Sequence, residues 1–337
     1  MLSPVKALPA EPAPSGALEV LANTLAGDMR HVNDVILKNL GSDVPLIPEV
    51  ARYLIASGGK RLRPMLTVAA ARLCGDKGTG SHALAAAVEF IHSASLLHDD
   101  VVDESHLRRG QPSANDAFGN QASVLVGDFL FARAFELMVA SGSLAVLEIL
   151  AHASAQITEG EVLQLSLAGN IDTREEDYMR VITAKTAALF AAATETGAIL
   201  GGGQYRKALH DFGFHFGLAF QLIDDVIDYT APPETFNKTL GDDFREGKLT
   251  LPVILAIAAA DAPERKFWQS ALGAENHHPE LFREALALMH RHRVFDAVRA
   301  RAAQHAGQAR AALAGAPNHP LRAQLLDVLD YCVERTA

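Results

Sequence analysis

Apolar residues recur at three- and four-residue spacing along nearly the whole chain from about Leu18 onward, with no convincing period-two alternation. The pattern predicts helices over Leu18–Leu40, Pro48–Ser57, Pro64–Cys74, His82–Asp103, Gln121–Val139, Ser143–Leu167, Arg174–Leu200 and Arg206–Tyr229. More follow from Pro252 to the C-terminus, including Pro279–His292 and Val294–Leu313. Glycine and proline punctuate them at Gly58-Gly59, Gly75 to Gly80, Gly110-Gln111-Pro112, Gly201-Gly202-Gly203, Pro232-Pro233 and Gly315-Ala316-Pro317. No linker separates two compositional regimes and no short repeat occurs, so residues 18–337 are expected to form one large all-α domain. Residues 1–17 are rich in Pro and Ala and lack an apolar h-region or an Arg-rich pattern. They read as a disordered tail.

Composition changes the picture in three ways. Hydrophobic residues make up 49% of the 337, enough to bury a large core, yet no uninterrupted apolar run is long enough to span a bilayer. The formal net charge of −10 argues against a general nucleic-acid binder, so any anionic ligand must be met by local cations or by metal. Two distant cysteines, Cys74 and Cys332, form neither a disulfide framework nor a zinc ligand set, which suits a cytoplasmic protein.

The strongest chemical signal is a repeated acidic pattern, Asp99-Asp100-Val101-Val102-Asp103 and Asp224-Asp225-Val226-Ile227-Asp228. On a helix the first and last carboxylates of each motif share a face, about 40° apart. Both motifs end long apolar helices, where the macrodipole is negative and disfavours carboxylates. A solvated helix end would explain one such cluster. Recurrence in matching apolar context favours a divalent cation, because Mg²⁺ takes oxygen ligands from one or two carboxylates together with substrate phosphates. Cations stand beside the carboxylates: Lys60, Arg61 and Arg63 after a glycine turn, and Arg108-Arg109 before Gly110. That combination suits a polyanion held by metal on one side and by Lys and Arg on the other.

Taken together, Gly58–Pro64, His98–Gly110, Phe220–Tyr229 and Gly241–Pro252 resemble the trans-isoprenyl diphosphate synthase family, in its long-chain octaprenyl, solanesyl or decaprenyl branch. The resemblance covers the chain from about residue 20. It implies an all-α bundle around a deep apolar cavity, a homodimer, and dependence on Mg²⁺ with three ions per site. Asp99 and Asp103 would bind Mg²⁺ bridging the allylic diphosphate and Asp224 a further ion, with Asp100, Asp225 and Asp228 supporting or acting through water. Arg108, Lys185, Lys238 and Lys248 match cations around the allylic diphosphate, and Lys60, Arg63, His92 and Arg109 match the isopentenyl diphosphate site. Thr186 and Gln221 match positions beside the leaving group. The expected catalytic set is Asp99, Asp103, Arg108, Lys185, Asp224 and Lys238. The implied partners are isopentenyl diphosphate and an allylic primer such as farnesyl diphosphate, with peripheral membrane contact for product release and a ubiquinone-type side chain as destination.

Helical spacing agrees with part of this assignment. His92 lies seven residues before Asp99 and Gln221 seven before Asp228, two turns lower on the same faces. One departure is Asn237, where the family commonly has Gly before the Lys; Asn also tolerates left-handed backbone. His277-His278, His290 and His292 have no companion acidic or Cys pattern and read as surface.

Chain length should be set by the depth of the cavity. Ser95 lies one turn beneath Asp99, preceded by Ala94, and the resemblance makes these the positions where short-chain synthases place bulky aromatics. Both are small here, so a product of about eight to ten isoprene units is expected, with Phe131, Phe135 or Met138 as deeper floors. A terpene cyclase would share the first motif, but its second generally has Ser or Thr where this chain has Asp228. A non-catalytic prenyl-binding or regulatory subunit should have lost carboxylates or cations, and both sets are complete.

Overall fold

A left-handed glycine, a proline in a first turn or a polar cap bounds most of the helices that the spacing predicts. The computed structural model describes residues 16–56, 59–108, 110–231, 240–272 and 279–335. In order come α1 (Ala17–Thr24), α2 (Ala26–Asn39), α3 (Leu46–Ala56), α4 (Leu62–Leu73) and α5 (Gly80–Val102). A two-residue antiparallel ladder follows, β1 (Leu107–Arg108) with β2 (Gln111–Pro112), then α6 (Ala114–Phe118), α7 (Asn120–Ala140) and α8 (Leu144–Leu167). Next are α9 (Glu175–Ile182), a π-helical turn (Thr183–Ala187), α10 (Ala188–Leu200) and α11 (Arg206–Thr230). The chain continues with α12 (Asp242–Arg245), α13 (Leu251–Ala259), α14 (Ala262–Ala271), α15 (Pro279–Arg291), α16 (Val294–Leu313) and α17 (Pro320–Glu334).

Three features depart from the spacing-based reading. The helix expected over Leu18–Leu40 breaks at Leu25, whose ψ of 7° leaves the helical region while its side chain packs into the core. Neither Gly nor Pro marks that break. The helix expected over Arg174–Leu200 contains the π turn, and the loop after the first acidic motif folds into the β1–β2 ladder over left-handed Gly110. The residues 1–15 of the expected N-terminal tail, and His277-His278, lie outside the described residues. His292 meets Glu264 at 2.8 Å and His290 packs edge-on against Phe295.

The buried side chains form two clusters. One joins α1–α5, α7, α8, α10 and the first half of α11 to the end of α16 and to α17. The other gathers the second half of α11, α13, α14, α15 and the start of α16. Helices α11 and α16 pack along each other through both clusters, while α5 packs on α7, and α10 on α4 and α11. Among the described residues no helix is long and apolar enough to cross a membrane.

Candidate active site

Helix α5 is buried over most of its length, and its C-terminal turn presents the first acidic motif with Asp103 as the C-cap. The three carboxylates have different partners. Asp100 is closed to solvent and gripped by Arg108, whose Nε donates to both oxygens at 2.8 and 2.9 Å and whose Nη2 donates at 2.6 Å. This fork anchors β1 to the helix end. Asp99 instead faces Lys185, with Nζ 3.6 Å from Oδ2, and Asp103 accepts from Lys248 Nζ at 2.7 Å. Each lysine also has a second carboxylate, Glu161 Oε2 at 2.7 Å for Lys185 and Glu246 Oε2 at 2.7 Å for Lys248.

Burial governs the electrostatics. It pushes the Asp99 carboxyl above its ordinary value against the pull of Lys185. Burial also raises Glu161 to about 7, with repulsion from Asp99 adding to it. Burial alone would lower both lysines, but Asp99 and Glu161 outweigh it at Lys185, and Asp243, Asp103 and Glu246 outweigh it at Lys248. Both ammonium groups therefore stay charged at neutral pH.

The second motif lies in the last two turns of α11 and divides in the same way. Asp225 is buried, accepting from Tyr178 Oη at 2.6 Å and from Gln221 Nε2 at 2.7 Å. Burial first, and Asp243 second, raise its carboxyl to about 8. Asp228 accepts from the backbone N–H of Asp243 at 3.2 Å, holding the start of α12. Asp224 is the open member, 47% exposed, with Arg335 Nη2 at 3.2 Å from its Oδ1.

Two bridges tie the motifs together. The π turn carries Lys185 toward Asp99, while the next residue, Thr186, donates to Gln221 Oε1 at 2.9 Å and so reaches Asp225. The segment around α12 joins Asp228, through Asp243, to Lys248 and Asp103. The π turn is clamped between two glycines. A Cβ on Gly160 of α8 would lie 2.9 Å from Lys185 N, and one on Gly217 of α11 would lie 2.8 Å from Ala187 Cα. Only glycine allows this approach, and π turns of this kind recur at functional sites.

The basic loop is sorted by backbone conformation. Arg61 takes φ 47° as the N-cap of α4 and forms a buried ion pair with Glu89. Arg63 is half-buried beside His92, Nη1 to Nε2 3.2 Å, with its guanidinium 4.3 Å from the Phe190 ring centroid. Burial lowers Arg63 to about 10, still protonated at neutral pH. Lys60 is exposed, with Nζ 3.4 Å from Tyr331 Oη of α17. Phe190 packs on Phe220, and Arg335 covers the Phe220 ring at 4.3 Å, so two guanidiniums bracket an aromatic pair below Asp224. Arg109, Lys238 and Asn237 lie outside the described residues.

Beneath Asp99, Ala94 is completely enclosed whereas Ser95 is only half-buried, its Oγ bonded to His92 O at 2.9 Å. Of the deeper candidates, Met138 is core, Phe131 packs against His98 with centroids 5.9 Å apart, and Phe135 lies on the exposed face of α7. The exposure of Phe135 corrects its expected place as a cavity floor within the single chain. A separate cleft of about 440 Å³ opens between α8, α10 and α11, with Glu148, His152, Glu195, Arg206 and His210 in its wall, and contains no motif residue.

The donors suit a hard cation, since Asp99, Asp103 and Asp224 offer only carboxylate oxygens. Among the described residues no three His, Cys, Asp or Glu side chains converge to hold an ion by themselves. Glu161, Glu246, Tyr178 and Arg335 were not singled out by sequence reasoning. Only Glu161 carried a local signal, the helix-interior Gly160 beside it.

A family profile described as polyprenyl synthetase matches residues 44–289. The chain is 46% identical over 320 residues to the octaprenyl diphosphate synthase of Escherichia coli (strain K12), covering 94% of this chain and 99% of that one. Among solved structures, a decaprenyl diphosphate synthase from Rhodobacter capsulatus is 53% identical with a TM-score of 0.91, covering 95% of this chain and 99% of that one. A polyprenyl synthase from Caulobacter crescentus CB15, complexed with calcium and isoprenyl diphosphate, is 50% identical with a TM-score of 0.92, covering 97% of this chain and all of that one.

Proposed function

The chain belongs to the polyprenyl synthetase family, and on that premise we propose that it is a Mg²⁺-dependent trans-polyprenyl diphosphate synthase making a long-chain product. The observation that carries this reading is the pairing of Asp99 with Lys185 and of Asp103 with Lys248 around one end of the bundle. Asp99, Asp103 and Asp224 would hold three ions, with Asp100, Asp225 and Asp228 fixing the groups around them. Bound Mg²⁺ supplies neutralisation of charge on the departing diphosphate.

The chain's own residues do the rest. Lys185, Lys248, Arg108 and Lys238 hold the oxygens of the allylic diphosphate, where fixed cations favour the charge that builds as the C–O bond breaks. Thr186 and Gln221 lie beside the leaving group. Lys60, Arg63, His92 and Arg109 hold isopentenyl diphosphate so that its double bond attacks the allylic cation, after which a proton leaves to the released diphosphate. Partial burial of Arg63, Asp99 and Lys185 limits the access of water that would capture the cation.

The half-buried Ser95 leaves room for the growing chain, in keeping with about eight to ten units. Farnesyl diphosphate serves as primer and a quinone side chain is the destination. The reading includes a homodimer. Val124, Leu125, Phe135 and Val139 form an exposed apolar stripe along α7, with Val162 and Leu165 exposed on α8, and burying such a stripe is favourable. It also includes a cytoplasmic enzyme touching the membrane only to release product. Incubation with Mg²⁺, farnesyl diphosphate and labelled isopentenyl diphosphate tests the reaction. Long polyprenyl diphosphates are expected; a cyclic hydrocarbon, or no turnover, would overturn it.

A further inference from the structure

Resting on that reading, we propose that Glu161, which belongs to neither acidic motif, is a positioning residue that keeps Lys185 directed at the diphosphate when Asp99 takes up metal. Three observations support it. Glu161 Oε2 lies 2.7 Å from Lys185 Nζ, closer than Asp99 Oδ2 at 3.6 Å, so Glu161 is the nearer anchor of that lysine. Gly160 lets α8 approach the π turn so closely that a Cβ there would lie 2.8 Å from Ala184 Cβ and 2.9 Å from Lys185 N, which sets the next residue against Lys185. Glu161 Oε1 is buried and has no hydrogen-bond partner. A purely structural ion pair would be expected to satisfy both oxygens, whereas a free one can accept from water or ligand once the site is filled.

The charge balance explains why a second carboxylate is needed. Lys185 and Lys248 repel one another, and Arg108 adds positive charge at Asp99. Once Asp99 is neutralised by a cation, its attraction for Lys185 fades and that repulsion is unopposed on its side. A lysine is a point charge on a flexible stem and would swing away. Glu161 remains and holds it. Glu246 stands in the same relation to Lys248 and Asp103, at 2.7 Å from the ammonium.

The test compares wild type with Glu161→Gln, Glu161→Asp, Lys185→Ala and the Glu161→Gln/Lys185→Ala double variant. Elongation kinetics and calorimetric binding of inorganic pyrophosphate with Mg²⁺ are measured on the full chain. Glu161→Gln should lower kcat by about 100-fold and weaken pyrophosphate binding by about 10-fold, leaving KM for isopentenyl diphosphate unchanged. Glu161→Asp, which keeps the charge, should recover part of both losses. The double variant should be no worse than Lys185→Ala alone, because Glu161 acts through that lysine. Wild-type kcat and pyrophosphate affinity in Glu161→Gln, or losses that multiply with those of Lys185→Ala, would overturn the proposal. If Glu161→Gln does not fold, the Glu161→Asp and Lys185→Ala pair reads the same coupling. A wild-type chain that fails to elongate any primer would instead sink the reaction assigned above.

Discussion

Asp100 shows how much one enclosed carboxylate can do for its neighbours. Its carboxylate is enclosed and takes three donor contacts from Arg108. Asp100→Ala would leave that guanidinium uncompensated, and we expect a loss of about 3 kcal/mol in urea unfolding together with a higher KM for the allylic primer. Ser95 gives a second prediction. Ser95→Phe should shorten the product on chromatography with less change in stability than a fully enclosed position would show, because the side chain is only half-buried. Ala94→Phe has no such room and should also cost about 1–3 kcal/mol by overpacking. At this scale the sequence was informative wherever charge interrupted an apolar run, as at Asp99 and Asp224. Glu161 escaped because, apart from the neighbouring Gly160, one glutamate on a long helix looks like any solvated residue. Arg335 escaped because its partner, Asp224, is remote in sequence.

Among the elements, the π turn decides the site. It inserts into a segment whose apolar spacing reads as one helix from Arg174 to Leu200, since a single wide turn barely disturbs a 3.6-residue pattern. Long helices such as α5, α7, α8 and α11 were readable to within a residue or two because caps and glycines flank them. The break at Leu25 was not, because an apolar residue fills the core there whichever backbone it adopts. Gly217→Ala tests the clamp. The added Cβ, 2.8 Å from Ala187 Cα, should cost about 1–3 kcal/mol and lower kcat through displacement of Lys185 and Thr186. Denaturant midpoints and steady-state kinetics on the same preparation check both parts. Unchanged kcat would separate the clamp from catalysis.

Over the whole molecule, the pairing of α11 with α16 has a titratable seam. His215 and His305 stack across it, with Nδ1 atoms 3.2 Å apart, and burial lowers the pKa of both. As pH falls below the ordinary imidazole range of about 6.5, the unfolded chain takes up protons that the folded one resists. Stability is therefore lost toward acid. His305→Gln should flatten the fall in Tm between about pH 7 and 5.5, measured calorimetrically. The outer face was less readable than the core, because a stripe such as Leu125, Phe135 and Val139 has the same spacing as a buried one. Leu125→Lys with Phe135→Lys should convert the proposed homodimer to monomer in sedimentation while leaving the helical signal intact.

Since α11 threads both buried clusters, no partial opening of one cluster alone would free it. In hydrogen-exchange terms, amides from Leu222 to Tyr229 should be among the slowest in the protein, exchanging only through global unfolding. Asp224, the most open of the proposed metal ligands, thus projects from a segment whose exchange clock is that of the entire fold.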